Sequence, residues 1–358
     1  MEKYNMIIAF LILIISFSKW ANAQMVPAMF VFGDSLVDVG NNNYLPLSLA
    51  KADFPQNGVD FPNKKPTGRF SNGKNAADLL AQKLGLPTSP PYLSLSSTNV
   101  SSYMTGVSFA SAGSGIFNGS DLALKQSIPL TLQVGYYGDV YRALAAKMGP
   151  SGAKSHISES LFFVVIGSND LFDYSNSDTL KAKYSPQQYA DMMATSLGAH
   201  LQTLHASGAT KFAVAGVGPI GCIPTRRAKS KTEGCDEAVN SYAEAYNARL
   251  KSLLKQLQSQ LLGFTYSYFD TYSYFKSMIQ DPTIYGFTEV KAACCGAGKL
   301  KAELPCLPVA TYCPNRTDHL FWDLYHPTER TDTLTVDAIF DGPSDQAFPI
   351  NVRHLVAV

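Results

Sequence analysis

Met29-Phe30-Val31-Phe32-Gly33-Asp34-Ser35-Leu36 is the stretch that decides the fold. Four apolar residues in a row read as a strand buried on both faces, the kind found inside a parallel sheet. Gly33-Asp34-Ser35 then ends it with small and polar residues, at the edge where open α/β sheets collect ligands. The same pattern recurs at Leu161–Ile166, which runs into Gly167-Ser168-Asn169-Asp170. Lys211–Ala215 and the aromatic Thr265–Asp270 read as further strands, and Val107–Ala110 as another candidate leading into Ser111-Ala112-Gly113-Ser114-Gly115. Helical patterns lie between them. Ser185 and Pro186 cap and open one that runs to about Ala206, and Asp236 caps another that reaches Leu262 before Gly263. Alternation of this kind predicts an α/β fold with a mostly parallel central sheet covered on both faces. No repeat or flexible linker interrupts it, so residues 24–358 read as a single domain, with long surface loops at 53–75 and 86–102.

Ahead of that domain, Lys3 leads a twelve-residue apolar run, Met6–Phe17, and Ala21-Asn22-Ala23 has the small-x-small spacing that a signal peptidase cuts. Residues 1–23 are expected to be a secretory signal peptide, too short for a membrane span of roughly 20 residues. Taking Glu2, Lys3 and Lys19 from 29 basic and 28 acidic residues leaves 27 of each. A neutral chain carries no electrostatic footprint for nucleic acid or an anionic membrane. Three sequons, at Asn99, Asn118 and Asn315, are candidate glycosylation sites, of which about two are expected to be used. All six cysteines (222, 235, 294, 295, 306 and 313) lie in the second half, and an even count in an oxidising compartment points to disulfides. Cys222 with Cys235 would close a short loop around Arg226, Arg227, Lys229 and Lys231, while the pairing of Cys294, Cys295, Cys306 and Cys313 stays open. No cysteine pair has the two-residue spacing of a zinc site, and no metal or cofactor is expected.

The polar residues at the strand ends match the parts that an acyl-transfer site needs. A serine hydroxyl attacks poorly unless a neutral imidazole removes its proton. That imidazole needs a carboxylate on its other nitrogen to fix its tautomer and stabilise the imidazolium. Asp323-Leu324-Tyr325-His326-Pro327 supplies both groups three residues apart, within one turn. Preorganised donors for the developing oxyanion are worth about 3–4 kcal/mol of barrier each, and the Ser35 N–H, the Gly113 N–H and the Asn169 amide are the candidates. Singly, each of these is an ordinary turn or cap residue. Their joint occurrence at four separate places carries the reading.

Phe30-Val31-Phe32-Gly33-Asp34-Ser35-Leu36-Val37-Asp38-Val39-Gly40-Asn41-Asn42-Asn43 resembles the first signature block of the plant-type GDSL esterase/lipases, within the SGNH hydrolases. The block around Gly113 resembles their second, Ile166–Asp170 their third, and Phe321–Thr328 their last. Pro66–Gly73, Gly218–Cys222 and Cys294-Cys295-Gly296 extend the resemblance over most of residues 24–358. It implies a flavodoxin-like three-layer α/β/α fold, a triad of Ser35, Asp323 and His326, and an oxyanion hole of Ser35, Gly113 and Asn169. Together with the leader, it makes a secreted serine esterase or lipase of the cell-wall space the expected function. Such an enzyme would act as a monomer on small or lipid-like acyl esters through an acyl-enzyme. Ser108 departs from the pattern, since many relatives carry Asn there. An acyltransferase on the same scaffold is the nearer alternative, and a non-catalytic binding or structural protein the more distant one.

Other motifs are weaker. Gly216-Val217-Gly218-Pro219-Ile220-Gly221 fits a dinucleotide fingerprint, but Pro219 and Pro224 interrupt the helix that should follow. No G-x-S-x-G elbow and no H-E-x-x-H occurs. His156, His200, His205, His319 and His354 read as surface or structural. His319 is the sole rival base, preceded by Asp318, although adjacent side chains seldom point the same way. The aromatic run Tyr266–Phe275 reads as core and rim.

Overall fold

The computed structural model describes residues 24–96, 100–120 and 122–358. The leader and Asn99 therefore lie outside the described residues. Strands β1 (Met29–Gly33), β2 (Leu161–Val165), β3 (Lys211–Ala215) and β4 (Thr265–Phe269) run parallel and side by side in that order. Their register pairs Met29 with Leu161, Leu161 with Lys211 and Lys211 with Thr265. The segment around Ser108 lies on the free side of β1, where Val31 N–H donates to Val107 O at 3.0 Å and Phe109 N–H to Val31 O at 2.8 Å. It comes second in the chain and lies outermost, so the parallel strands follow the flavodoxin order. Two further strands, β5 (Glu289–Ala293) and β8 (His319–Phe321), form a small parallel pair. A second small pair, β6 (Cys295–Gly296) and β7 (Thr311–Tyr312), is antiparallel. The central sheet is closed by a short antiparallel edge strand, β9 (Ala347–Phe348).

Because side chains alternate along a strand, each apolar run feeds two cores. Phe30, Phe32, Phe162, Val164, Phe212, Val214 and Tyr268 face one layer of helices. That layer is α1 (Leu130–Glu159, broken at Gly149-Pro150), α2 (Pro186–Ala206) and α3 (Glu237–Gln260). Met29, Val31, Leu161, Phe163, Val165 and Ala213 face the other, which includes the helices Ala76–Lys83, Glu329–Asp341 and Val352–Ala357. The architecture is thus three-layered α/β/α. The helix starts follow the expected capping. Ser185 and Gln188 form a capping box at the start of α2, and Asp236 Oδ1 accepts from Val239 N–H at 3.2 Å to start α3. The end of α3 is a correction. The helix stops at Gln260 because Leu261 is already extended (ψ 116°), two residues before the glycine that was expected to end it.

Three disulfides, Cys222–Cys235, Cys294–Cys313 and Cys295–Cys306, use all six cysteines. The last two are nested, Cys295–Cys306 inside Cys294–Cys313, and share one small buried cluster with Trp322.

Candidate active site

β1 delivers Ser35 to the carboxyl edge of the sheet, and Gly33 makes this possible. A Cβ at Gly33 would lie 2.3 Å from Val165 O, so only glycine lets β1 meet β2 at that point. The buried Gln133 amide brackets the same peptide, accepting from Gly33 N–H at 2.9 Å and donating to Gly33 O at 2.8 Å. The chain then turns as Leu36 N–H donates to Asp34 Oδ1 at 3.0 Å. Burial pushes the Asp34 carboxyl up to about 7, opposed by that N–H and by the His326 imidazole.

His326 arrives from the other end of the chain, just past β8. The three-residue spacing is closed by an Asx-type turn instead of a helical one. Asp323 Oδ1 accepts the backbone N–H groups of Tyr325 and His326, both at 2.9 Å. The same carboxylate lies 2.7 and 2.9 Å from His326 Nδ1, and His326 Nε2 lies 2.8 Å from Ser35 Oγ. With the Nδ1 proton donated to Asp323, the Nε2 lone pair faces the serine hydroxyl, which donates to it. Asp323 and His326 are both 7% exposed, and the Phe70 ring packs on the imidazole with centroids 4.8 Å apart. His319 pairs with Asp318 after all, Nδ1 to Oδ1 at 2.6 Å. The expectation that adjacent side chains diverge fails here because Asp318 sits in the turn before β8, outside the strand alternation. His319 is absent from the wall of the cavity that holds Ser35.

Asn169 lies in the first turn of the helix Ser168–Asn176, directly after β2. Its Nδ2 donates to Ser114 O at 2.8 Å, which leaves the second N–H available. Gly113 holds a left-handed conformation, φ 80°, that a side chain would strain. Ser35, Gly113, Asn169, Asp323 and His326 all line one cavity of about 550 Å³.

The loop carrying Gly113 is held from below by residues the sequence reading quoted without assigning a task. Asp38 Oδ2 accepts Ala112 N–H at 3.1 Å while its Oδ1 accepts Gly40 and Asn41 N–H at 2.7 and 2.8 Å. Asn41 Nδ2 donates to Ser108 O and Ala110 O, both at 2.9 Å. Asn42 Nδ2 donates to Ala112 O at 3.0 Å, and its Oδ1 accepts from Ser111 Oγ at 2.5 Å. All three are essentially unexposed. Asp170 does the same further along, accepting from Ile116 N–H, Phe117 N–H and Ser120 Oγ at 2.9, 3.0 and 2.6 Å. Burial raises both Asp38 and Asp170 to about 6. Ser108 Oγ is buried without a hydrogen-bond partner.

The remaining wall is largely apolar, including Phe54, Phe172, Ile220 and Leu324. The glycine-rich 216–221 segment contributes Gly218 and Pro219 to it, and Phe275 from the aromatic run reaches it as well. In the Cys222–Cys235 loop, Arg227 is buried, donating to Cys222 O and Glu233 O at 2.8 Å each, whereas Arg226 and Lys229 line the cavity. Of the sequons, Asn118 and Asn315 are exposed.

A family model described as GDSL-like Lipase/Acylhydrolase matches residues 29–339. A GDSL esterase/lipase of Arabidopsis thaliana is 51% identical over 340 residues, covering 93% of this chain and 90% of that one. Another from the same organism is 36% identical over 350 residues, covering 96% and 98%. Among solved structures, a putative GDSL-like lipase from Parabacteroides merdae aligns over 87% of this chain and 93% of its own, with TM-score 0.37 and 11% identity.

Proposed function

We propose, from the premise that this chain belongs to the GDSL-like lipase/acylhydrolase family and is a carboxylic ester hydrolase, that Ser35, His326 and Asp323 are its catalytic triad. Ser35 Oγ attacks the ester carbonyl carbon as its proton passes to His326 Nε2. Asp323 holds the imidazole in the productive tautomer and stabilises the imidazolium. The tetrahedral oxyanion is met by the Ser35 and Gly113 N–H groups and by the free N–H of Asn169. Collapse breaks the C–O bond, and the departing alcohol takes the proton from His326. Water then attacks the acyl-enzyme, again giving its proton to Nε2, and the acid leaves as Ser35 is restored.

The observation that carries this reading is the unbroken relay from Ser35 Oγ through His326 to Asp323, at 2.8 and 2.7 Å. Ser35→Ala should lower turnover of a short aryl ester by on the order of 10⁴-fold or more, with the melting temperature unchanged. Retained turnover would refute the assignment.

The same proposal takes residues 1–23 as a secretory signal peptide and residues 24–358 as one extracellular domain, glycosylated and acting as a monomer. Three disulfides support the extracellular setting, and two exposed sequon asparagines the glycosylation. No helix among the described residues is long and apolar enough to cross a membrane.

A further inference from the structure

Exposed apolar side chains are normal when scattered, and their clustering is what carries meaning. Of the fourteen large apolar residues exposed among the described residues, seven line the catalytic cavity or lie within two positions of a residue that does. Apart from Tyr325, they sit on three loops. The first presents Leu47 and Leu49, the second Leu122, and the third Leu304, Leu307 and Val309, with Leu122 75% and Val309 91% exposed.

The three loops are fixed in this attitude. Leu49 N–H donates to Leu124 O at 3.1 Å and Leu47 N–H to Gln126 Oε1 at 2.9 Å, which joins the first loop to the second. Gln56 Nε2 donates to Pro308 O and Ala310 O at 2.8 and 3.0 Å, and the Cys295–Cys306 and Cys294–Cys313 disulfides anchor the third. The stretches 44–51, 122–126 and 304–309 contain no carboxylate, and their only charges are Lys51, whose ammonium donates to Asn42 O and Leu45 O, and Lys125.

We infer that these loops form a docking surface for the interface of an aggregated, uncharged acyl-ester lipid. The occupant follows from continuity. The rim opens directly into the cavity through Leu49 and Leu307, so whatever phase wets the rim delivers its ester groups to Ser35. This deepens the esterase reading and rests on it for the chemistry, but adsorption itself needs no turnover.

The full chain, after any leader is removed, is tested on tributyrin below and above its solubility limit, and by flotation with triolein droplets. Activity should climb once droplets form, and the protein should float with them in about 0.5 M salt, where charge attraction is screened. Leu47→Ser, Leu122→Ser and Val309→Ser combined replace side chains outside the cavity wall. That variant should keep its rate on dissolved 4-nitrophenyl acetate while losing droplet adsorption at least about tenfold. The Ser35→Ala protein should adsorb like the wild type. Equal adsorption by the triple variant, adsorption abolished by salt, or none by the wild type overturns the docking surface. A wild type that adsorbs but hydrolyses neither ester overturns the esterase reading and leaves the surface standing.

Discussion

Asp34 precedes the serine, and its Oδ2 is buried without a hydrogen-bond partner. Its folded-state value of about 7 lies above its ordinary 3.8, so the folded protein holds a proton that the unfolded chain releases. That contribution is complete below the ordinary value and is lost as pH rises through about 7. Asn keeps the Leu36 contact and is neutral at every pH. The melting temperature of Asp34→Asn relative to wild type should therefore rise between about pH 5 and about pH 8, by on the order of 1 kcal/mol or more in stability. A pH-independent difference would remove burial as the cause. Asn42 acts at a distance through the loop it holds. Losing its bonds to Ala112 and Ser111 lets Gly113 drift from the oxyanion, where a donor is worth about 3–4 kcal/mol. Asn42→Ala should cut kcat about 10- to 100-fold and leave KM within about threefold, because the loss falls on the transition state. A change confined to KM would contradict this. The triad and oxyanion candidates could be read from the sequence because each announces itself within a few neighbouring residues. Asn42 could not, since its partner Ala112 lies 70 residues away.

At the scale of elements, strands stood out where both faces are buried. β1 and β2 are fully buried throughout, which forces continuous apolar sequence. β9 escaped notice because two residues carry no period. Cys222–Cys235 could be read from the sequence, but the pairing of the other four cysteines could not, because adjacent Cys294 and Cys295 point apart and reach different partners. Those two bridges support the cavity wall at Pro305, Cys306 and Leu307. Replacing Cys295 and Cys306 together by Ser should remove about 2–4 kcal/mol of stability. It should raise KM for long acyl esters more than for acetate, since only the long chains would reach the loosened wall. Equal KM changes in a chain-length series would separate the loop from substrate binding.

Across the whole molecule, alternate positions along each buried strand are divided between two cores, and so the sheet was legible while the shape of the cavity was not. Its walls come from loops whose positions depend on long-range bonds such as Gln56 to Pro308, 252 residues apart. The sequence separation of 291 between Ser35 and His326 has a consequence in time. At about 5–20 residues per second, the serine is made some 15–60 s before the imidazole. During that interval the nascent chain holds the proposed nucleophile without its proposed base. Activity of the proposed triad should therefore appear only after the segment carrying His326 has been made and folded.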